Sequence, residues 1–399
     1  MTPKISPPKT FLQKYGVEIL LVTAAFVLLF MLLWFRLGSL TFGNAAPVEV
    51  ASRQAATSWQ AILDNPLYAP YTVGQRLVML SGHDGITSMR LVTTMWAILA
   101  MVLFYIVARQ WHSVRVAGLA TWLFISSSWF LHTARLATPE ILWLVSILAL
   151  VVLFSPRRKG PSSWLSFPIL IATLGAVLYV PGMVWLVLFS LVLRRGNIAE
   201  AWAASRNFFV RILSILGGMA LVAPLGKALM ESPELVKHWL GVDTLESAVI
   251  IGKQFLAVPK QLFISGPLDP VHWLGRIPLL SVFETIMFIL GAYFYVTHLR
   301  AARARFIIIL SLLAWLVIGI GGLASLSLIV PVVYLVLTTG IAYMLHEWFK
   351  VFPNNPIARS IGIAVIAVAI LLTSIYQTRS YFVAWRYSSE TATAFTEKL

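Results

Sequence analysis

The chain has no cysteine among its 399 residues. Disulfides, thiolate nucleophiles and cysteine-ligated metals are therefore excluded, and the redox compartment leaves no mark on the sequence. Charge is nearly as scarce. Only 11% of residues are charged, where a soluble domain carries about 25%. Acids are the scarcer kind: 15 Asp and Glu stand against 30 Lys and Arg, a net charge of +15. A phosphate-cradling glycine loop, a dinucleotide fingerprint and a Ser-His-Asp spacing are all missing. Nucleotide-driven transport has no support, and the shortage of acids inside apolar runs argues against proton-coupled transport.

What fills the chain is apolar residue, 59% of it. The pattern predicts an all-α polytopic membrane protein with about eleven transmembrane helices. The expected spans are 16–35, 91–107, 116–130, 141–154, 165–180, 183–193, 212–225, 277–296, 306–322, 326–345 and 361–376. Pro181-Gly182 splits one pair as a tight hairpin. No cleavable signal is expected, because the first run is long enough to span and the small residues at 43–46 lie well beyond its end. The basic residues are scattered between apolar runs and form no stripe, which argues against nucleic acid as a partner.

The cations alternate with the spans. Lys4, Lys9, Lys14, Arg109, Arg115, Arg157, Arg158, Lys159, Arg194, Arg195, Arg300, Arg303, Arg305, Lys350 and Arg359 fall on one side. By the positive-inside rule that side and the amino terminus are cytoplasmic, so the protein is expected in the cell membrane with an extracytoplasmic carboxyl terminus. Residues 1–376 then form one transmembrane domain and 377–399 a short outer tail. Two long outer segments, 36–90 and 230–276, exceed simple connectors and are expected to be structured. Residues 47–62 suit a helix lying on the membrane. The second segment mixes Leu235, Trp239 and Phe255 with Lys237, Lys253 and Lys260, as interfacial helices do.

Most of the acids lie on the outer side, and so does the segment from His132 to Glu140. Charge at a bilayer edge is costly and points to function. Glu49 has the placement of a general base, yet Pro47 ahead of it equally suits a first-turn helix acid. Arg135 suits a phosphate, with Glu140 orienting it or a catalytic partner. The plainer alternative is an Arg135–Glu140 bridge closing a turn. His132, Arg53, Lys253, Lys260 and Arg276 are further candidates for a lipid phosphate, although the lysines also suit headgroup anchoring. Asp64 in Asp64-Asn65-Pro66 and Asp84 in His83-Asp84-Gly85 read first as turns and second as acids. No spaced ligand set supports a metal, and no cofactor is predicted, with a divalent ion left open. Glu18 and Glu284 lie near or within spans.

With these residues in place, the chain resembles the GT-C superfamily of polytopic glycosyltransferases. It is most similar to the branch holding the protein O-mannosyltransferases and the aminoarabinose (lipid A) transferases. The resemblance covers most of the chain and rests on pieces in order: Leu37-Gly38-Ser39-Leu40-Thr41 then Glu49; Asn65-Pro66-Leu67-Tyr68-Ala69-Pro70-Tyr71; Gly85 to Arg90-Leu91; Ser127 to Arg135 closing on Thr138-Pro139-Glu140; and Leu328 to Tyr334 with Pro331. It implies transfer of a sugar from a polyprenyl-phosphate donor on the outer face to a lipid, glycan or protein acceptor, with inversion. It also implies Glu49 as base, and Arg135 and Glu140 near the donor phosphate. Two departures stand out. Val48 precedes Glu49 where the family often has an acidic pair, and residues 322–327 lack the cation that commonly precedes the late span. The large carboxyl-terminal soluble domain of some relatives is also missing. The competing reading is a non-catalytic GT-C-like scaffold or a lipid-carrier transporter. Convergence of Glu49, Arg135 and Glu140 on one outward cavity favours catalysis over a scaffold.

Overall fold

In lipid, backbone polar groups must be satisfied within the segment, which leaves long apolar runs little choice but the helix. The computed structural model describes residues 11–83, 85–155, 164–205, 207–242, 248–321 and 326–398. Among them the helices are α1 (Phe11–Trp34), α2 (Pro47–Ala55), α3 (Trp59–Asp64), α4 (Ala69–Leu80), α5 (Ile86–Trp111), α6 (Val114–Ser126), α7 (Ser128–Arg135), α8 (Ile141–Phe154), α9 (Ser166–Val177) and α10 (Met183–Leu193). There follow α11 (Arg195–Ala204), α12 (Phe208–Glu231), α13 (Pro233–Leu240), α14 (Ala248–Phe263), α15 (Val282–Thr297), α16 (Ala302–Gly321), α17 (Val330–Val351), α18 (Pro356–Arg379) and α19 (Ser389–Ala394). A π-helical segment, Ser380–Trp385, continues α18. Among the described residues there is no strand, only a bridge pairing Ala45 with Glu397.

Five helices are long and apolar enough to cross a membrane: α5, α12, α16, α17 and α18 with its π extension. Helices α6 and α7 pass the same test only together, as a pair bent by 62° where Ser127 caps the second piece, the form of a broken span or a re-entrant loop. The apolar part of α1 and helices α8, α9, α10 and α15 are shorter, at 10–17 residues. The sequence expectation differs in detail. Residues 47–62 are two helices, not one, because Ser58 takes an extended conformation and accepts from the Ala61 amide to start α3. The span expected over 212–225 is longer, since α12 runs on to Glu231 with Pro224 inside it. Finally, α14 does more than lie on a surface: its Phe255 ring stacks on Trp315 of α16 at 4.2 Å.

The two ends of the bundle differ. The basic residues gather at one end: Arg109 closes α5, Arg115 opens α6, and Arg303 of α16 lies over Trp111 at 5.3 Å. Arg194 there donates to the Phe154 carbonyl at the end of α8 (3.0 Å). Glu18, near the start of α1, takes bonds from Tyr105 (2.8 Å) and Arg109 (3.0 Å) at that same end. The outer-loop helices α2, α3 and α4 sit by the other end of α5, one helix length away, about 39 Å at 1.5 Å per residue. The carboxyl-terminal tail returns there too, through the Ala45–Glu397 bridge and a bond from Asn44 to the Phe395 carbonyl (3.1 Å).

Helices α15 and α17 form the tightest crossing. A Cβ on Gly291 would overlap the Val336 carbonyl, and one on Gly340 would overlap that of Met287. Small residues permit this approach, which maximises dispersion where lipid offers no hydrophobic contrast. Around it, buried Glu284 accepts from Tyr334 (2.7 Å), Gln377 (2.8 Å) and the Ser281 amide (2.8 Å), tying α15, α17 and α18 together. Gly340→Leu is expected to force the helices apart and destabilise the protein by about 1–3 kcal/mol or more. The loss is measured as a lower unfolding midpoint in detergent, beside an unchanged exposed control such as Ser360→Ala.

Candidate functional site

Pro47 starts α2, and Glu49 follows in its first turn, reaching back to accept from the Ala46 amide at 3.0 Å. Arg90 projects from the first turns of α5. Its Nε and Nη2 meet the two carboxylate oxygens of Glu49 at 2.8 Å each, the planar fork geometry that suits guanidinium and carboxylate. The Ala137 amide adds a fourth donor at 2.8 Å. Arg90 also donates to the Leu37 carbonyl (3.0 Å), Thr41 Oγ1 (3.0 Å) and the Asn44 carbonyl (3.3 Å). The pair is out of solvent, Glu49 at 0% and Arg90 at 1% exposure. A carboxylate held by four donors with no face to solvent is not open to an acceptor hydroxyl. The sequence expectation is Glu49 as base; in this geometry it joins α2, α5 and the turn after α7.

Arg135 is also held by the protein itself. It lies in a buried helix, not in a connection at the bilayer edge, and its exposure is 2%. Its guanidinium donates to the carbonyls of Leu32, Leu33 (3.0 Å) and Phe35 (2.6 Å), and its Nε to Tyr381 (3.2 Å). These are orphan carbonyls at the end of α1, which a cation satisfies well. The Tyr381 and Phe382 rings flank the charge at 5.5 and 4.9 Å. In this geometry its hydrogen bonds close the end of α1. His132, one turn earlier, packs edge-on between Tyr381 and Trp385 with ring centroids at 4.6 Å, buried and away from solvent.

Glu140 is different. Its side chain keeps 20% exposure, and Oε1 stands 3.4 Å from His272 Nε2. His272 Nδ1 meets Asp269 Oδ2 at 2.6 Å, across the i,i+3 spacing of a short turn that Asp269 itself shapes by accepting from the Val271 amide. Burial opposes a charge on His272, but Glu140, Asp269 and the Glu49 carboxylate outweigh it and raise its pKa to about 9. Asp269 loses stability as an anion through burial, yet the His272 contact brings its pKa below the usual carboxylate value. Tyr68 completes the rim. It holds a left-handed backbone (φ 60°), a conformation costing about 1–3 kcal/mol. That turn sets its ring edge-on to Trp143 at 5.8 Å, while its amide donates to the Tyr179 carbonyl (2.8 Å). Burial and the charge of Glu140 raise the Tyr68 pKa.

Glu49 and Glu140 thus share one neighbourhood, through Ala137 and through His272, while Arg135 turns away to α1. Lys253 and Lys260 are exposed on α14, and Arg276 is exposed beyond it. Arg53 is half-buried in the last turn of α2. Asp64 is exposed and accepts from Gln60 (2.7 Å), a local helix contact. Asp84 lies outside the described residues, as do residues 322–325 ahead of α17. Among the described residues no group of His, Asp and Glu is placed to hold a metal ion. The sequence reading passed over Arg90, Asp269, His272 and Tyr68. Gly85 to Arg90 was noted as an ordered element, but a buried partner for Glu49 has no local signature. The Asp-x-x-His spacing at 269–272 was legible and went unused.

No family model matches the sequence, and a search of curated proteins finds no match. Solved structures do match in fold. ArnT from Cupriavidus metallidurans bound to undecaprenyl phosphate aligns with a TM-score of 0.50 at 17% identity, covering 95% of this chain and 77% of that one. The Archaeoglobus fulgidus oligosaccharyltransferase tethered with an acceptor peptide aligns at a TM-score of 0.53 and 15% identity, covering 98% of this chain and 56% of that one. Its apo form gives 0.53 at 14% identity. The fold is therefore that of the GT-C glycosyltransferases.

Two outcomes follow from this geometry. Removing one partner of a buried pair leaves an unpaired charge, so Glu49→Gln and Arg90→Met are each expected to cost about 3–5 kcal/mol. The double variant Glu49→Gln/Arg90→Met is expected to cost clearly less than their sum, in a double-mutant cycle of unfolding midpoints. For His272 the folded pKa is the raised one. Its stabilisation is complete below the unfolded value near 6.5 and is lost as pH rises through about 9. The gap in unfolding midpoint between wild type and His272→Gln is expected to shrink from pH 6.5 to pH 9.5.

Proposed function

We propose that this protein is a membrane glycosyltransferase that takes a sugar from a polyprenyl-phosphate donor, with Glu140 as the general base. The observation that carries the reading is the half-open Glu140–His272–Asp269 cluster beside the buried Glu49–Arg90 pair, at the loop-bearing end of a GT-C fold. Glu140 is an acid in that neighbourhood with both solvent access and a cation within reach. It takes the proton from an acceptor hydroxyl or amine. The acceptor atom then attacks the anomeric carbon, the bond from that carbon to the phosphate oxygen breaks, and polyprenyl phosphate leaves with the electron pair. Attack opposite the leaving group inverts the centre. Protonated His272 answers the charge that grows on the phosphate. An apolar groove of about 680 Å³ between α1 and α18, with Trp34 and Phe382 on its walls and Arg379 at its rim, suits the polyprenyl chain. The basic end of the bundle faces the cytoplasm in this reading, so the chemistry is extracytoplasmic.

One observation favours a second reading. Position 48, half-exposed beside the locked Glu49, is valine. A chain that kept only the structural acid of this loop would be a GT-C-like scaffold or carrier-lipid transporter without transferase activity.

The two separate in an in vitro transfer assay with a panel of polyprenyl-phosphate sugars. Glu140→Gln is expected to lower turnover by about 100-fold or more in protein that still folds, with a smaller drop in unfolding midpoint than Glu49→Gln. Undiminished turnover by Glu140→Gln removes the assignment of the base. A wild-type protein inert across the panel, yet binding the carrier lipid, replaces the enzyme by the scaffold.

A further inference from the structure

A second cavity lies at the other end of the molecule. It encloses about 720 Å³ between the start of α6, the end of α17 and the start of α18, within the usual size range of ligand pockets. Arg115, Arg359, His112 and His346 line it, with the hydroxyls of Ser113 and Ser360, and none of its lining residues is acidic. The acid closest in sequence, Glu347, is engaged with Lys350 at 2.7 Å. The Arg359 guanidinium carbon lies over the Phe349 ring, 4.7 Å from its centroid. His112 is steadied by Thr339 at 3.3 Å. The first turns of both α6 and α18 form part of the wall, adding the positive ends of two helix dipoles.

The lower walls are apolar, with Leu119, Leu345 and Ile363. The cavity also shares Pro356 and Ser360 with a second depression of about 420 Å³ that runs along the outer face of α18 past Ile357, Ile361 and Ala364. Ile357 and Ile361 are 72% and 52% exposed, as side chains facing lipid are. A cationic pocket thus opens onto a greasy track on a helix that crosses the membrane.

We propose that this cavity binds the phosphate headgroup of an anionic membrane phospholipid, with one acyl chain lying along α18. Arg115 and Arg359 grip the phosphate, the serine hydroxyls and His346 donate to its remaining oxygens, and the Ile357–Ile361 track takes the chain. Basic pockets between transmembrane helices recognise such headgroups by this combination. A free phosphate would use the same cations but has no use for the track. The site is separate from the Glu140 cluster and does not depend on the transferase reading.

The test uses the full chain in neutral detergent, titrated with phosphatidylglycerol, phosphatidylcholine or inorganic phosphate and read by native mass spectrometry and unfolding midpoint. Wild type is expected to retain one phosphatidylglycerol in preference to phosphatidylcholine and to be stabilised by it. Arg115→Gln/Arg359→Gln is expected to bind about 30-fold more weakly, and Arg115→Lys/Arg359→Lys to recover part of the affinity. The control Lys227→Gln/Lys237→Gln removes equal charge at the opposite end and is expected to leave binding unchanged. Ile361→Asn is expected to weaken the lipid alone. Equal retention by wild type and the arginine double variant overturns the site. Stabilisation by inorganic phosphate without preference for the lipid overturns the lipid assignment. Should the glutamine variant fold poorly, the lysine variant and Ile361→Asn decide on their own.

Discussion

The outer end of the molecule is organised by one buried ion pair, Glu49 with Arg90. Two charges removed from water are expensive, and their attraction repays the cost only when geometry is near ideal and the remaining hydrogen-bonding capacity is filled. Both conditions hold. Glu49 takes two guanidinium and two backbone N–H groups, while Arg90 also spans two carbonyls and a hydroxyl of the loop after α1. Each bond ends on a different stretch of chain. The pair thereby fixes α2 against α5, holds residues 37–44 in place and sets the turn after α7. Glu140 owes its position to that turn, three residues beyond the amide that Glu49 holds.

A second cation continues the same logic. Arg135 closes the carbonyl end of α1, and the rings that flank it belong to the π-helical end of α18. The tail beyond that segment returns to Ala45, next to the residue that caps α2. The chain therefore closes on itself at this end. The first span, the first loop, the bent α6–α7 unit and the last span are joined through two arginines whose charges never face solvent. Neither arginine is disposable, and neither is available to a substrate. His272, by contrast, is held charged by acids on either side.

The helical, polytopic character of the chain was legible because it needs only the length and spacing of apolar runs. The grouping of basic residues at one end was legible for the same reason, since alternation carries it. The roles of individual charges were not. Glu49 and Arg135 were singled out correctly as unusual, but rarity near a bilayer identifies a group with a purpose without saying whether the purpose is chemical or architectural. Their partners decide that, and those partners lie 41 residues away for Glu49 and about 100 for Arg135. The single surface helix expected over 47–62 failed on a more local point: Ser58 is a better cap than a helix interior residue.

Position 48 bears on the proposed transfer, because adjacent residues in a first helical turn point about 100° apart. Glu49 points inward to Arg90, and Val48 points outward at 43% exposure. The catalytic question is therefore whether another carboxylate can serve from across the site. Glu140 is a carboxylate that the buried pair positions without consuming. Its Oε1 stands 3.4 Å from His272 Nε2, so on the proposed reading an acceptor hydroxyl at that corner meets a carboxylate and a cation together. On the proposed reading the acid for the chemistry lies across the site from position 48, at the rim where His272 sits between Glu140 and Asp269.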